Sequence, residues 1–237
     1  MTQDNSSDMK SGGTNTMIII GLADVHGSLT AIERMKDILS SADLVLFVGD
    51  ITHFGKAPET GQVVAPVAQS AKKTLAVSGN CDYPEVGAYL DDHGVSLHGR
   101  GEMIDGIGFV GVGGSLVTPF RTPNEYSESQ LEGFMDRGFA QLPKGTDAPL
   151  VLVSHQPPIN THCDRLATGS HVGSQAVRQF IETYRPLVCF TGHIHESAAI
   201  DTIGDTRIVN PGMLANGQYA YAEIRGRGVE TLEIRSV

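Results

Sequence analysis

Asp24 with His26, Asp50, Asn80, His155, and His193 with His195 are the residues whose types and spacing point to chemistry. Each group follows closely on a short apolar run, and all seven side chains offer oxygen or nitrogen donors. Taken singly, each piece is ordinary. Asp-x-His after a strand reads as a turn cap, Gly49-Asp50 as a loop turn, and Asn80 after Gly79 as a residue tolerant of unusual backbone angles. Loop histidines are commonly just solvated. Five such coincidences are poorly explained as independent turns. Four imidazoles, two carboxylates and one amide exceed what one tetrahedral zinc uses, and they suit two ions sharing a carboxylate. Such donors fit Mn, Fe, Ni, Co or Zn better than Ca, and no ligating cysteine pattern points to a structural zinc. A pair of divalent ions about 3.5–4 Å apart serves phosphoryl displacement, activating a water and neutralising phosphate oxygens.

For these scattered residues to meet, the fold must bring several strand ends together. In open α/β sheets the carboxyl ends of the strands converge on one edge, where ligands bind. Residues 17–23, 44–48, 74–78, 150–154 and 187–191 read as short buried strands. Leu29, Ile32, Met35, Ile38 and Leu39 recur at helical spacing, with Thr30 and Glu33 placed for a capping box. This alternation predicts right-handed βαβ units and a parallel sheet. Beyond Gly94, short strands at 95–97, 103–104 and 107–112 suit a meander, and helices return at 127–142 and 174–184. The end reads as two hairpins, 198–203 with 206–210 and 218–225 with 229–235. With no fixed-period repeat, residues 17–237 are expected to form a single domain, and the polar residues 1–16 a flexible tail.

Composition narrows the function classes. Of 237 residues, 40% are hydrophobic and 19% charged, which excludes a disordered or collagen-like chain. The net charge of -10 speaks against affinity gained by neutralising a nucleic-acid backbone. No apolar run approaches the roughly 20 residues a membrane helix needs. Cys81, Cys163 and Cys189 cannot all pair, and the polar start lacks the apolar core of a signal peptide, so a cytoplasmic location is expected.

The ordered blocks Asp24-Val25-His26, Gly49-Asp50, Gly79-Asn80-Cys81-Asp82, His155 and Gly192-His193-Ile194-His195 resemble those of the calcineurin-like metallophosphoesterase superfamily. The likeness runs from residue 17 to about residue 212. It implies an α/β fold, a four-layer sandwich of two mixed β-sheets flanked by helices. It also implies that Asp24, His26 and His195 bind one metal and Asn80, His155 and His193 the other, with Asp50 bridging them and a bridging hydroxide as nucleophile. Segments 154–158, 171–174 and 210–212 are similar to those of a small bacterial and archaeal branch with the Gly-Asn-Cys-Asp motif.

One departure matters: many members carry His where this chain has Cys81. A thiol is a weaker hydrogen-bond donor and supplies no imidazolium charge. The expectation is therefore a dinuclear phosphoesterase acting on phosphodiesters or small nucleotides, with Asp50, Asn80, Cys81 and His53 as catalytic residues. Cys81 reads equally as a small residue filling a gap. The alternatives are a phosphomonoesterase, or a non-catalytic interaction scaffold or nucleotide sensor. An intact set of seven donors favours the enzyme.

Other polar residues have bland readings beside the functional ones. His53, three residues past Asp50, could overhang the metals or simply be solvated. His162, Cys163, Asp164 and His171 are spaced like a second metal cluster, but no strand end organises them, so they read as a substrate-facing loop. Arg121 and Arg165 could hold a phosphate, although surface arginine is the default. His93 and His98 are assigned no role. Phe134, Met135 and Phe139 form a helical stripe suited to the core or to a homo-oligomer contact.

Overall fold

The computed structural model describes residues 16–145 and 147–237. The expected tail lies outside the described residues, except that Thr16 begins the first strand. The first half runs β1 (Thr16–Leu22), α1 (Leu29–Arg34), α2 (Lys36–Ser41), β2 (Leu44–Val48), α3 (Ala57–Ser70), β3 (Thr74–Val77) and α4 (Pro84–Asp92). The middle continues with β4 (Arg100–Ile104), β5 (Ile107–Val112), β6 (Ser115–Leu116), β7 (Glu125–Tyr126), α5 (Glu128–Phe139) and β8 (Leu150–Ser154). The remainder is α6 (Gln175–Tyr184), β9 (Val188–Phe190), β10 (Ala199–Ile203), β11 (Thr206–Asn210), β12 (Gln218–Arg225) and β13 (Gly228–Ser236).

Two large sheets form, ordered β13-β12-β1-β2-β3 and β10-β11-β9-β8-β5-β4, beside a small β6-β7 pair. Both are mixed. β1, β2 and β3 are parallel while β12 and β13 run antiparallel. In the second sheet β5, β8, β9 and β11 are parallel, with β4 and β10 antiparallel at the edges. β2 and β8 are buried along their whole length, which is why they read as apolar runs, with Ser154 closing the second.

The inner faces of the sheets meet in one core, Ile19, Leu46 and Val77 against Phe109, Val153 and Phe190. Gly21 permits this approach, since a Cβ there would lie 2.9 Å from the Phe190 ring. Helices α1 to α4 cover one outer face through Ile32, Leu39, Val63 and Leu90, and α5 and α6 the other through Leu131, Met135, Phe180 and Ile181. The result is the expected four-layer sandwich.

Local structure differs from expectation at several points. The helix after β1 is broken: the Met35 N–H donates to both Ala31 and Ile32 carbonyls, tightening the turn and ending α1. Ser28, without a side-chain cap bond, precedes α1, so Thr30 and Glu33 form no capping box. Residues 95–97 form no strand: Ser96 makes an isolated bridge to Ala76, as His98 does to Gly111. The meander stops after one hairpin, because β5 pairs onward with β8 in parallel. α5 ends at Phe139, three residues early, and the Ser127 side chain accepts from Gln130 N to cap its start. Its stripe belongs to the interior: Met135 is buried and Phe139 packs on Tyr184 at a centroid distance of 4.1 Å.

His98 also has a structural role. Its Nδ1 accepts the Gly113 N–H at 2.9 Å, and its ring lies 4.3 Å from that of Phe134. Burial, with Arg137 adding, drives its pKa down to about 4. The unfolded chain, with His near 6.5, therefore binds more protons than the fold between pH 6.5 and 4. Stability is full above this window and falls through it on acidification, by about 3 kcal/mol at pH 4. His98→Asn keeps an acceptor for Gly113 and should flatten this part of the dependence, read by thermal unfolding at pH 7 and pH 4.5.

Candidate metal centre

β1, β2, β3, β8 and β9 end on a common edge, and the loop after each carries one of the donor groups. Both sheets contribute. Four donors have left-handed backbones, Asp24 (φ 50°), His26 (46°), Asp50 (46°) and His193 (69°). Such non-glycine residues cost about 1–3 kcal/mol each and concentrate where function over-determines geometry. Two glycines make the crowding tolerable. A Cβ on Gly49 would stand 2.2 Å from His155 Nδ1, and one on Gly79 would stand 2.1 Å from Asp50 Oδ1.

Asp24, His26, Asp50 and His195 form one tight group, with ligand atoms all within 4.8 Å of one another. His195 Nε2 lies 3.3 Å from Asp24 Oδ1 and 3.2 Å from His26 Nε2. Asp50 Oδ2 faces His26 Nε2 at 3.7 Å, while its Oδ1 faces His155 Nε2 at 3.5 Å. His155 Nε2 in turn lies 3.0 Å from Asn80 Oδ1, and the His193 ring sits 5.2 Å from the His155 ring. The carboxylate of Asp50 thus stands between two donor groups, one side chain from each sheet edge meeting there.

The donor chemistry fits cations. His155 Nδ1 donates to the Val48 carbonyl at 2.8 Å, which leaves a lone pair on Nε2 facing the Asn80 oxygen. Two opposed acceptors are reconciled by a shared positive ion. His26 Nδ1 is buried without a hydrogen-bond partner among the described residues, and His26 Nε2 turns toward the carboxylates. Burial drives the His193 pKa down to about 3 and lowers that of His26, so both present neutral imidazoles. Burial pushes the Asp50 carboxyl up, with the Asp24 charge adding and His155 opposing. Burial acts likewise on Asp24, but the His195 hydrogen bond and the neighbouring histidines outweigh it and hold that carboxyl below its usual range. The bond to Asp24 raises His195.

The family model for calcineurin-like phosphoesterases matches residues 17–197. The chain belongs to that family. A calcineurin-like phosphoesterase is a metal-dependent hydrolase acting on phosphate esters. An uncharacterized protein of Methanocaldococcus jannaschii is 40% identical over 200 residues, covering 82% of this chain and 88% of that protein. A protein of Rhodopseudomonas palustris named "Probable cyclic nucleotide phosphodiesterase" is 25% identical over 190 residues, covering 75% of this chain and 65% of its own length. The crystal structure of a dimetal phosphatase from Danio rerio shares the fold, with a TM-score of 0.63 at 13% identity, covering 93% of this chain and 98% of that one.

In this phosphoesterase, Asp82 is a residue whose place in the Gly-Asn-Cys-Asp block was visible but whose task was not. Its buried carboxylate accepts from Ile51 N (3.0 Å), Thr52 N (2.8 Å), Thr52 Oγ1 (2.7 Å) and Gly79 N (2.8 Å). It therefore ties the loop carrying Asp50 to the loop carrying Asn80. Asn124 braces the same place, donating to the Gly79 carbonyl at 2.9 Å, and nothing in its sequence surroundings marked it.

The remaining expectations fare unevenly. Cys81 donates its backbone N–H to Asp50 Oδ1 at 2.8 Å, and burial together with Asp50 pushes its thiol up, so it stays protonated. His53 is exposed, with its ring 5.4 Å from that of His26. The spacing of His162, Cys163, Asp164 and His171 makes no metal cluster. Asp164 accepts from His171 at 2.7 Å, whereas His162 pairs with Asp201 and Cys163 donates to the Ala199 carbonyl. Their loop instead supplies Leu166 and Val172 to a cavity beside His193 and His195. Neither Arg121 nor Arg165 lines that cavity.

Proposed function

We propose that the chain hydrolyses phosphodiesters or small nucleotides at a dinuclear metal centre. The observation that carries this reading is Asp50, whose two carboxylate oxygens face different donor groups. Asp24, His26 and His195 would hold one ion and Asn80, His155 and His193 the other, with Mn, Fe, Ni, Co or Zn suited to such ligands. Bound divalent ions supply Lewis acidity toward a phosphoryl oxygen and lower the pKa of a bound water. The protein's own part is orientation. Val48 fixes the tautomer of His155, the Cys81 N–H fixes Asp50, and Asp82 locks both loops.

Cys81 supports diesters over monoesters, because a neutral thiol gives no cationic help to a doubly charged phosphate or its leaving group. The name of the Rhodopseudomonas palustris relative supports the same direction. His53, exposed with its ring 5.4 Å from that of His26, would touch substrate or carry protons in this reading. Residues 17–237 act as one catalytic domain in this reading. Its three free cysteines suit a cytoplasmic setting, and among the described residues no helix is long and apolar enough to cross a membrane.

The reading is tested with chelator-stripped protein reloaded with manganese, comparing bis-p-nitrophenyl phosphate with p-nitrophenyl phosphate. Faster diester hydrolysis supports it, and a faster monoester moves the protein to phosphomonoesterases. Cys81→His should raise the monoester rate relative to the diester rate by about tenfold or more. An unchanged ratio would leave Cys81 as a packing residue only.

A further inference from the structure

A cavity of about 460 Å³ opens onto Asn80, His193 and His195, so whatever fills it is continuous with a phosphate held there. Its other walls are mainly Leu116, Pro119, Phe120, Leu166, Val172 and Ile194. Phe120 is 86% exposed at the rim, a large apolar surface held in water next to the site. Among the described residues no lysine or arginine lines the cavity, and Glu196 is the carboxylate in its lining.

The polar groups in its walls are already engaged. Thr118 Oγ1 donates to Glu125, Gln156 accepts from Leu116 N and donates to the Val172 carbonyl, and Glu196 accepts from Ala167 N. Few side-chain partners remain for sugar hydroxyls or base edges. The wall formed by residues 166–172 is held in place by Asp164, which accepts from Thr161, His171 and Gly173. A preformed apolar wall of this kind binds without an ordering cost.

We propose that this cavity takes an aromatic or otherwise apolar ester group of a singly charged phosphodiester, and that it discriminates against substrates carrying a second phosphate. The proposal rests on the phosphodiesterase reading above and specifies its substrate class. A second phosphate, directed away from the metal ligands into the cavity, would meet the carboxylate of Glu196 with no lysine or arginine in the lining to offset it. The apolar group would exchange water for Leu116, Leu166 and the Phe120 ring.

The test uses two phosphinates, whose P–C bonds cannot be hydrolysed, titrated calorimetrically into the manganese-reloaded full chain. Methyl(naphthylmethyl)phosphinate should bind about 30-fold tighter than dimethylphosphinate. Leu166→Glu should bring that ratio below about threefold. Phe120→Ser, at a largely exposed position, should lower it in the same direction and guards against misfolding of the first variant. A naphthyl ligand bearing a second phosphate should lose the advantage. Equal affinities for the two phosphinates overturn the proposal while leaving the diester hydrolysis untouched. A preference for the naphthyl ligand in a protein that hydrolyses no diester overturns the underlying reading, and the substrate assignment with it. A Phe120→Ser protein that changes sedimentation but not the affinity ratio assigns the face to a second copy of the chain and also overturns the proposal.

Discussion

Asp50→Asn is expected to lower kcat toward an aryl phosphodiester by about a thousandfold or more, with bound metal falling from two ions per chain to one or fewer. The Asp50 oxygens face His26 at 3.7 Å and His155 at 3.5 Å, and the residue is 2% exposed. An amide fills the same space but offers one neutral oxygen, so it cannot face both groups with negative charge. Its NH2 would also turn toward either an imidazole or the Cys81 N–H, which already donates there. The fold itself should hold. Burial disfavours the charged carboxylate, so a neutral isostere removes a desolvation penalty as well as a ligand. Rate measurements with metal analysis of the same sample check this, and activity within tenfold of wild type with two ions bound would exclude a shared role for Asp50.

Asp82→Ala is expected to destabilise the protein by about 3–5 kcal/mol, a fall in Tm of roughly 10 °C for a chain of this size. Four donors lose their acceptor together: Ile51 N, Thr52 N, Thr52 Oγ1 and Gly79 N. Residue 82 is fully buried, so water does not replace the carboxylate readily. Asp82→Asn should be milder in stability, because one oxygen can still accept, yet one of the donors then faces an NH2. Its kcat should fall by about tenfold or more as the Asp50 and Asn80 loops lose register. Calorimetry and steady-state kinetics on both variants separate the two effects. An alanine variant that melts with wild type would show that the two loops are held by other contacts.

Much of the site was legible because its donors follow strands buried on both faces. β2 is apolar throughout and β8 carries one polar residue, Ser154 at its last position, so Asp50 and His155 stand out at once. α3 and α4 were hidden. Gly61 and Pro66 interrupt the first and Gly87 the second, and tertiary packing of Val63, Val67 and Leu90 overrides that local cost. The pairing of β12 with β1 joins ends of the chain far apart in sequence, and nothing in either strand specifies its partner. The cavity walls were equally silent, since Leu116 lies in the two-residue strand β6 and Phe120 and Leu166 come from aperiodic loops whose shape is set by Glu125, Asp164 and Glu196. Asp82 shows the intermediate case, in which a motif position is visible and its four hydrogen bonds are not.

The most direct measurement of the central claim is a manganese titration of chelator-stripped protein, following bis-p-nitrophenyl phosphate hydrolysis and bound metal together. The expected result is no turnover in the stripped state, a rate that saturates at two ions per chain, and no recovery of that rate by His155→Ala at any metal concentration. Full activity in excess chelator, or saturation at a single ion, would contradict a dinuclear phosphoesterase.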